Sequence, residues 1–212
     1  MLRLLVVRHG YTVTNATHRY TGQLDAPLTD EGRDQAQRLA AYLAAHEKID
    51  KIYASDLSRA INTAAPTAAR FGLKITPMPD LREIDVGEWT GMPFEELDRG
   101  YKTHPQLKTD VAYPYPGGES FLDLYIRTER ALQKILAENG EGTVMIVTHA
   151  GGVRCISCMA AGDPRTAARS HPSIANTAMD IYHYETGKLT QVAHEVKAHL
   201  ESANPEAKKE LV

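Results

Sequence analysis

The sequence predicts a three-layer α/β/α sandwich with a mainly parallel central sheet, and two observations support this prediction. Short apolar runs alternate along the 212-residue chain with longer segments whose apolar residues recur at helical spacing. Two of the apolar runs, at 2–7 and 143–147, are followed at once by polar and glycine-rich stretches that contain His9 and His149. Ligands of such sheets bind beyond the carboxyl ends of the strands, so we expect the two histidines to face one crevice.

The first part of the chain alternates strands with helices. The run at 2–7 is continuously apolar, as in a strand that is buried on both faces. After a polar loop at 12–25, Thr29 is placed to cap a helix whose apolar residues recur every three or four positions. The elements expected next are a strand at 51–54, a helix capped by Ser55-Asp56 that runs through Ala69 and ends at Gly72, and a strand at 73–78.

The second part opens on an irregular stretch at 80–118, which we interpret as an insertion or lid because long loops of this kind are usually functional. The elements expected after it are a helix from Gly118-Glu119-Ser120 through Glu138, a strand at 143–147, a helix at 151–161, and antiparallel strands at 178–184 and 188–196. A polar tail follows from about residue 197. With no repeats and no low-complexity tract, the chain is predicted to be a single domain over residues 1–212.

Composition and charge are those of an ordinary soluble globular protein, with 42% hydrophobic and 24% charged residues. The net charge of −3 gives no general attraction to nucleic acid or to an anionic membrane, so we expect neither as a partner. Two cysteines and no secretory signal predict a cytoplasmic protein. Cys155 and Cys158 form a CxxC pair inside an apolar helical pattern, which favours two buried small side chains over a zinc or redox site.

A pocket that combined His9 and His149 with arginines would be suited to phosphoryl transfer. A neutral imidazole can attack phosphorus and form a phosphohistidine, which divides one difficult step into two easier ones. Arginine matches phosphate oxygens, and a nearby carboxylic acid can protonate the leaving group, so no metal is required. Two alternatives lack support, because the GxSxG nucleophile motif of esterases is missing and the HEVKAH stretch at 194–199 does not have the spacing of a zinc motif.

Several motifs in one order give the sequence its most specific signal. The stretch RHGYTVTN, from Arg8 to Asn15, resembles the RHGxTxxN signature of the histidine phosphatase superfamily, also called the phosphoglycerate mutase-like family. The resemblance continues in the family's order through TGQLDAPLTDEGRDQAQRLA, SDLSRAINTA, LREIDVGEWTG, GGES and VTHAGGVR. Because it spans most of the chain, the resemblance implies the phosphoglycerate mutase-like form of the α/β sandwich.

The resemblance also implies a role for each matching residue. His9 would be the phosphorylated nucleophile, Glu83 the proton donor that later activates water, and His149 a donor to the phosphoryl group during transfer. No metal and no cofactor is implied. Without the motif, Glu83 would be interpreted as a solvated loop carboxylate. The resemblance assigns binding of the phosphate to Arg8, Asn15, Thr21, Gly22 and Arg59.

Phosphatases and mutases share these residues and differ in the acceptor of the phosphoryl group. Thr12, the modest length of the 80–118 stretch and the LREIDVGEWTG motif resemble the phosphatase branch, in particular α-ribazole phosphatases and broad-specificity phosphatases. We therefore predict a histidine acid-type phosphatase that hydrolyses a small phosphorylated metabolite through a phosphohistidine. The alternatives are a cofactor-dependent phosphoglycerate mutase and a non-catalytic phospho-ligand-binding module. Tyr11 and Thr14 depart from the family's common residues, which leaves substrate preference open, and formation of a homodimer is open as well.

Overall fold

A six-stranded sheet forms the middle of the protein in the computed structural model, which describes residues 1–201. Its strands are β1 (Leu2–Arg8), β2 (Lys51–Ala54), β3 (Ile75–Pro77), β4 (Gly142–Thr148), β5 (Met179–Glu185) and β6 (Lys188–Val196). They lie in the order β3-β2-β4-β1-β5-β6. Strands β3, β2, β4 and β1 are parallel to one another, whereas β5 pairs antiparallel with both β1 and β6. The predicted mainly parallel sheet is confirmed.

Strand β1 lies between β4 and β5 and is buried on both faces. Side chains of a strand alternate between the two faces of a sheet. Leu4 and Val6 accordingly join one apolar cluster, and Leu5 and Val7 join the other. This placement explains the unbroken apolar run, because a polar side chain at any of these positions would lose its water. The strand then ends on Arg8, so its packing fixes where the next residues lie.

Helices cover both faces of the sheet and complete the predicted three layers. The α-helices are α1 (Val13–Ala16), α2 (Asp30–His46), α3 (Ser58–Phe71), α4 (Leu97–Thr103), α5 (Gln106–Thr109), α6 (Phe121–Glu138), α7 (Ala150–Ala161) and α8 (Ala198–Glu201). Short 3₁₀ helices lie at Pro79–Leu81, Gly87–Trp89, Phe94–Glu96 and Arg165–Ser170. Helices α2 and α3 pack on one face, for example through Leu39 and Ala64. Helices α6 and α7 pack on the other, through Leu132 and Ile156 among others.

Three predicted helix ends are confirmed by their capping contacts. The Thr29 hydroxyl caps α2 by accepting a hydrogen bond from the backbone N–H of Gly32 at 3.1 Å. Gly72 ends α3 in the left-handed conformation, with a φ of 65°. Ser120 caps α6 in a reciprocal box, where Ser120 and Asp123 each accept a hydrogen bond from the backbone N–H of the other.

Two predictions about the first half of the chain are wrong. Ser55-Asp56 does not cap α3, because the N-cap residue is Leu57, and the first backbone N–H of the helix, that of Ser58, donates to the Asp25 carboxylate at 2.8 Å. The Asp56 carboxylate instead accepts two hydrogen bonds from Arg82, at 2.7 and 2.6 Å. The strand predicted at 73–78 is only three residues long, because its single neighbour β2 offers just four residues for pairing.

The stretch at 80–118 has an apolar cluster of its own. Trp89 packs edge-on against Tyr115, with 5.2 Å between the ring centroids. The cluster continues onto α6 and α7, where Cys155 and Cys158 are both buried as predicted. The short helices of this stretch thus rest on the layer that follows it in sequence. Its action as a lid stays a prediction.

The polar tail predicted from about residue 197 begins with α8 and is described as far as Glu201. The rest of that tail, residues 202–212, lies outside the described residues. None of the helices within residues 1–201 is both long enough and apolar enough to cross a membrane. The division of the whole chain into a single domain stays a prediction.

Candidate active site

A cavity of about 260 Å³ lies at the carboxyl ends of β1 and β4. Its lining includes seven of the eight predicted site residues: Arg8, His9, Asn15, Thr21, Gly22, Arg59 and Glu83. His149 lies beside this lining, is fully buried, and has its ring centroid 5.0 Å from that of His9. The fold therefore brings together all the residues that the motifs single out.

The backbone around His9 is held by three neighbouring segments. The Thr63 hydroxyl accepts a hydrogen bond from the backbone N–H of Gly10 at 2.9 Å. The Asn176 side-chain amide donates to the His9 carbonyl at 2.8 Å. A Cβ atom on Gly10 would come within 2.8 Å of the Gly32 carbonyl oxygen, so only glycine permits this approach to the start of α2. The position of the imidazole is therefore set by the surrounding fold.

Hydrogen bonding determines which ring nitrogen of His9 is free. Its Nδ1 lies 2.8 Å from the Gly10 carbonyl oxygen. A carbonyl oxygen can only accept a hydrogen bond, so in the neutral ring Nδ1 holds the proton and Nε2 keeps its lone pair. Because His9 lines the cavity, Nε2 is the nitrogen available to attack a ligand.

His149 has the opposite arrangement of its ring proton. Its Nδ1 accepts a hydrogen bond from Nε–H of Arg59 at 3.1 Å, which leaves the proton of the neutral ring on Nε2. This Nε2 is buried and has no hydrogen-bond partner within residues 1–201. A buried N–H without a partner is costly. A phosphoryl oxygen bound in front of His9 would provide that partner.

Burial and nearby cations keep both imidazoles in the neutral form. Burial is the main cause that lowers the pKa of His9 well below its usual value, and the charges of Arg59 and Arg8 lower it further. Burial also dominates in lowering the pKa of His149, followed by the charge of Arg59. Only the neutral ring of His9 has a lone pair on Nε2, so this environment favours a nucleophile.

Buried Arg59 and half-buried Arg8 present unused N–H groups at the cavity. Arg59 is 1% exposed and donates from Nη1 to the Leu24 carbonyl at 2.7 Å and from Nη2 to the Gly22 carbonyl at 2.9 Å. With its Nε bond these contacts use three of five N–H groups, which leaves two for an anion. Burial lowers the pKa of Arg59 to about 10, so it stays cationic at neutral pH. Arg8 has a buried Nε with no partner in the described part of the chain.

Helix α1, which follows β1, adds a neutral donor. The Asn15 Oδ1 accepts hydrogen bonds from the backbone N–H and the hydroxyl of Thr12, at 3.0 and 2.8 Å. These bonds orient the amide, and its Nδ2, which has no partner among the described residues, is the group left to donate to a ligand. The Thr21 hydroxyl donates to the Thr14 hydroxyl at 2.7 Å. Thr14 therefore supports the loop that lines the cavity.

The Glu83 carboxylate is tied to the start of α7. Its Oε1 accepts a hydrogen bond from the backbone N–H of Ile84 at 2.9 Å, and its Oε2 accepts one from the backbone N–H of Gly151 at 3.3 Å. A Cβ atom on Gly151 would overlap this carboxylate. The Glu83 carbonyl in turn accepts from Nη2 of Arg127 at 2.7 Å. Hydrogen bonds to the side-chain carboxylate and to the main-chain carbonyl thus both hold Glu83 at the cavity wall.

Residues 4–197 match the histidine phosphatase superfamily (branch 1). The chain belongs to this superfamily. It is 39% identical over 184 residues to phosphoglycerate mutase-like protein 4 of Arabidopsis thaliana, an alignment that covers 84% of this chain and 78% of the relative. It is 32% identical over 190 residues to the metal-independent phosphoserine phosphatase of the same plant, covering 87% of this chain and 77% of the relative.

This histidine phosphatase also resembles solved structures. The α-ribazole phosphatase of Shigella flexneri superposes with a TM-score of 0.82 at 24% identity, over 92% of this chain and 96% of the other. At that identity the likeness shows the fold alone. Together with the family match it confirms the predicted fold. The phosphatase relative confirms the predicted class, a phosphoric monoester hydrolase of the histidine phosphatase type.

Four residues of this histidine phosphatase were not identified from the sequence. Thr63 and Asn176 hold the His9 loop through single hydrogen bonds, which no local pattern reveals. Arg154 and Arg169 line the cavity. Arg154 closes the VTHAGGVR motif, so the motif contained this residue without indicating a role. Arg169 belongs to no motif, and nothing in the sequence distinguishes it from a surface arginine.

We expect both active-site imidazoles to be neutral at about pH 6 in the free enzyme, where an ordinary histidine with a pKa of about 6.5 is largely protonated. The lowered pKa values of His9 and His149 are the reason. Nitrogen-15 NMR of histidine-labelled protein should show a Nδ1-protonated ring and a Nε2-protonated ring, assigned through the His9→Ala and His149→Ala variants. A cationic spectrum for either ring at that pH would contradict the assignment.

The same shifts make folding stability depend on pH. Histidines of the unfolded chain take up protons below about pH 6.5, whereas these two rings in the folded protein do not. The unfolded state therefore binds more protons, and the stability present above that pH is lost as the pH falls. The unfolding temperature should drop between pH 7.5 and pH 5, and an increase over this range would contradict the lowered pKa values.

Proposed function

We propose that this histidine phosphatase hydrolyses small phosphomonoesters through a phosphohistidine at His9, without a metal ion. The complementary protonation of two adjacent rings supports the proposal most directly. His9 presents a lone pair, and His149, 5.0 Å away between ring centroids, presents an N–H without a partner. A relative named as a metal-independent phosphoserine phosphatase supports the same reaction class.

In the first step, a phosphomonoester binds with its phosphoryl oxygens on Arg8, Arg59 and the Asn15 amide. Nε2 of His9 attacks phosphorus, and the bond between phosphorus and the ester oxygen breaks. The N–H of His149 and the two guanidinium groups stabilise the charge on the equatorial oxygens. Protonated Glu83 gives its proton to the departing oxygen, which leaves as an alcohol.

In the second step, water replaces the alcohol. The Glu83 carboxylate, now deprotonated, accepts a proton from water as the water oxygen attacks phosphorus. The bond between phosphorus and Nε2 breaks, and inorganic phosphate is released with His9 restored. The backbone N–H groups of Ile84 and Gly151 hold the carboxylate in place for both transfers.

The free cysteines suit a cytoplasmic setting, where thiols stay reduced.

Trapping of the phosphoenzyme tests this proposal. Wild-type protein mixed with a ³²P-labelled phosphomonoester and quenched in alkali should retain label, because phosphohistidine survives alkali, and should lose it in acid. The His46→Ala variant is a control, since His46 is exposed on α2 and stacks on Tyr42 outside the cavity. It should be labelled as the wild type is. Absence of label in a protein that still turns over the ester would overturn the phosphohistidine route.

A screen of phosphorylated metabolites separates the phosphatase from the mutase. Release of inorganic phosphate from several esters, unchanged by EDTA, is the expected result. The panel includes 3-phosphoglycerate with and without its bisphosphorylated primer. Conversion of 3-phosphoglycerate to its isomer only in the presence of the primer would replace the proposed function by that of a mutase. Binding of the esters without either reaction would indicate a binding module.

A further inference from the structure

The arginines of this protein are divided by where they lie. Eight of the fourteen form an ion pair with an aspartate or glutamate among the described residues. Of the remaining six, five line the active-site cavity: Arg8, Arg19, Arg59, Arg154 and Arg169. Glu83 is the only acidic residue in the described lining. Arginines without an ion-pair partner are therefore concentrated in this cavity.

A phosphoryl group accounts for only part of this charge. A phosphomonoester carries a charge of about −1.5 to −2 at neutral pH, which Arg8 and Arg59 offset. Arg19 is exposed and donates to the Gly91 carbonyl at 2.8 Å. Arg154 and Arg169 have no hydrogen bond and no ion pair with residues 1–201, and Nε of Arg154 is buried without a partner. Arg154 and Arg169 are thus the two lining cations with no hydrogen-bond partner among residues 1–201, and both can bind a second negative group on the ligand.

The two remaining arginines lie on neighbouring elements, because α7 packs against the 3₁₀ helix Arg165–Ser170. Arg154 is on α7, one turn beyond Ala150 and Gly151. Burial is the main cause that lowers the pKa of Arg8, and the charge of Arg154 lowers it further. Arg169 is in the 3₁₀ helix Arg165–Ser170. A ligand that extends from the phosphoryl site along α7 would meet Arg154, and the cation on the neighbouring 3₁₀ helix would also act on its far end.

Within residues 1–201, five tyrosine and phenylalanine side chains also line the cavity and restrict what the ligand can be. Tyr20 and Tyr115 share a hydrogen bond of 2.7 Å between their hydroxyl groups, and the other three are Phe94, Tyr101 and Phe121. The cavity volume of about 260 Å³ is below the usual range for drug-sized ligands. These dimensions suit a small metabolite. Carboxylate oxygens fit the fork of a guanidinium group in a bidentate manner.

We propose that Arg154 and Arg169 form a second anion subsite, and that the preferred substrate is a small phosphomonoester that carries a carboxylate. This inference rests on the proposed function, because it concerns the same cavity. Carboxylate binding would place the ester bond of such a substrate in front of His9, whereas an ester without the carboxylate would bind through its phosphoryl group alone. The subsite therefore determines selectivity among esters.

Two matched pairs of esters test the subsite. O-Phosphoserine differs from O-phosphoethanolamine, and 3-phosphoglycerate from glycerol 3-phosphate, by one carboxylate. For each pair we define the selectivity ratio as kcat/KM of the carboxylated ester divided by kcat/KM of its partner. The wild-type ratio should be roughly tenfold or more, since a hydrogen bond to a charged group contributes a factor of about ten. Arg154→Gln and Arg169→Gln should each reduce the ratio by a similar factor.

Arg165→Gln is the matched control. Arg165 belongs to the same 3₁₀ helix as Arg169, forms an ion pair with Glu129 at 2.7 Å, and does not line the cavity. Its selectivity ratios should equal those of the wild type. Ratios near one in the wild type, or ratios that do not change in the Arg154 and Arg169 variants, would overturn the subsite.

The outcomes separate the subsite from the proposed function. If the protein hydrolyses p-nitrophenyl phosphate but the two esters of each pair have equal kcat/KM, the subsite is contradicted and the proposed phosphatase activity stands. If the wild type hydrolyses none of the esters, the proposed function fails, and calorimetric Kd values for the same pairs decide the subsite. In that case tighter binding of the carboxylated ester, lost in Arg169→Gln, would support the subsite, and equal Kd values would contradict it.

Discussion

Replacement of His9 by alanine is expected to abolish hydrolysis of p-nitrophenyl phosphate, with kcat/KM lower by about 10⁴-fold or more, as for the loss of other covalent nucleophiles. The reason is geometric. His149 cannot substitute, because its Nδ1 lone pair is occupied by Arg59 at 3.1 Å and its Nε2 holds the proton. No other imidazole lines the cavity within the described part of the chain. Steady-state assays of the purified variant measure the loss.

Binding of phosphate should survive the same substitution. The guanidinium groups of Arg8 and Arg59 and the N–H of His149 do not depend on the His9 ring for their positions, since their hydrogen bonds go elsewhere. The Kd of inorganic phosphate, measured by calorimetry, should therefore stay within about tenfold of the wild-type value. His46→Ala should retain both activity and binding. Undiminished turnover in the His9→Ala protein would overturn the nucleophilic role.

Much of the fold and of the site is determined by local sequence patterns, and those parts were predictable. The apolar run before Arg8 is buried on both faces of the sheet, so it could be interpreted as a central strand from its residues alone. The Thr29 and Ser120 caps bond to residues three positions away, within reach of a sequence pattern. Local patterns also predict the ends of β1 and β4, and these ends place His9 and His149 at one edge of the sheet.

Other features depend on contacts between distant residues and were not predictable. Asp56 was expected to cap a helix, yet its carboxylate bonds to Arg82, because an ion-pair partner from another segment competes with the helix end. The protonation of His149 is determined by Arg59, ninety positions away. Arg169 has the residue type of a surface side chain, and only the folded chain shows that it lines the cavity.

Replacement of Glu83 by glutamine should slow hydrolysis according to the leaving group. Glutamine has nearly the same shape, and its single amide oxygen can keep one of the two hydrogen bonds that the carboxylate accepts from the backbone N–H groups of Ile84 and Gly151. It cannot give a proton to an alkoxide, and loss of a general acid typically costs 10²–10⁴-fold. We expect a fall of about 10²-fold or more in kcat/KM for alkyl phosphates, whose alkoxide needs that proton. For p-nitrophenyl phosphate the fall should be small, because p-nitrophenolate leaves without it.

The second step separates the two roles of Glu83 in a single experiment. Without a base to activate water, the phosphoenzyme formed from p-nitrophenyl phosphate should accumulate, so rapid mixing should show a burst of p-nitrophenolate close to one equivalent, followed by slow turnover. Glu88→Gln, which changes an exposed carboxylate in the same stretch outside the cavity, should show wild-type kinetics. Equal losses of kcat/KM on alkyl and p-nitrophenyl esters would contradict the proton-donor role. A slow steady state without a burst would show that the Glu83→Gln substitution slows a step no later than phosphorylation of His9. That result would contradict the role of Glu83 in activating water.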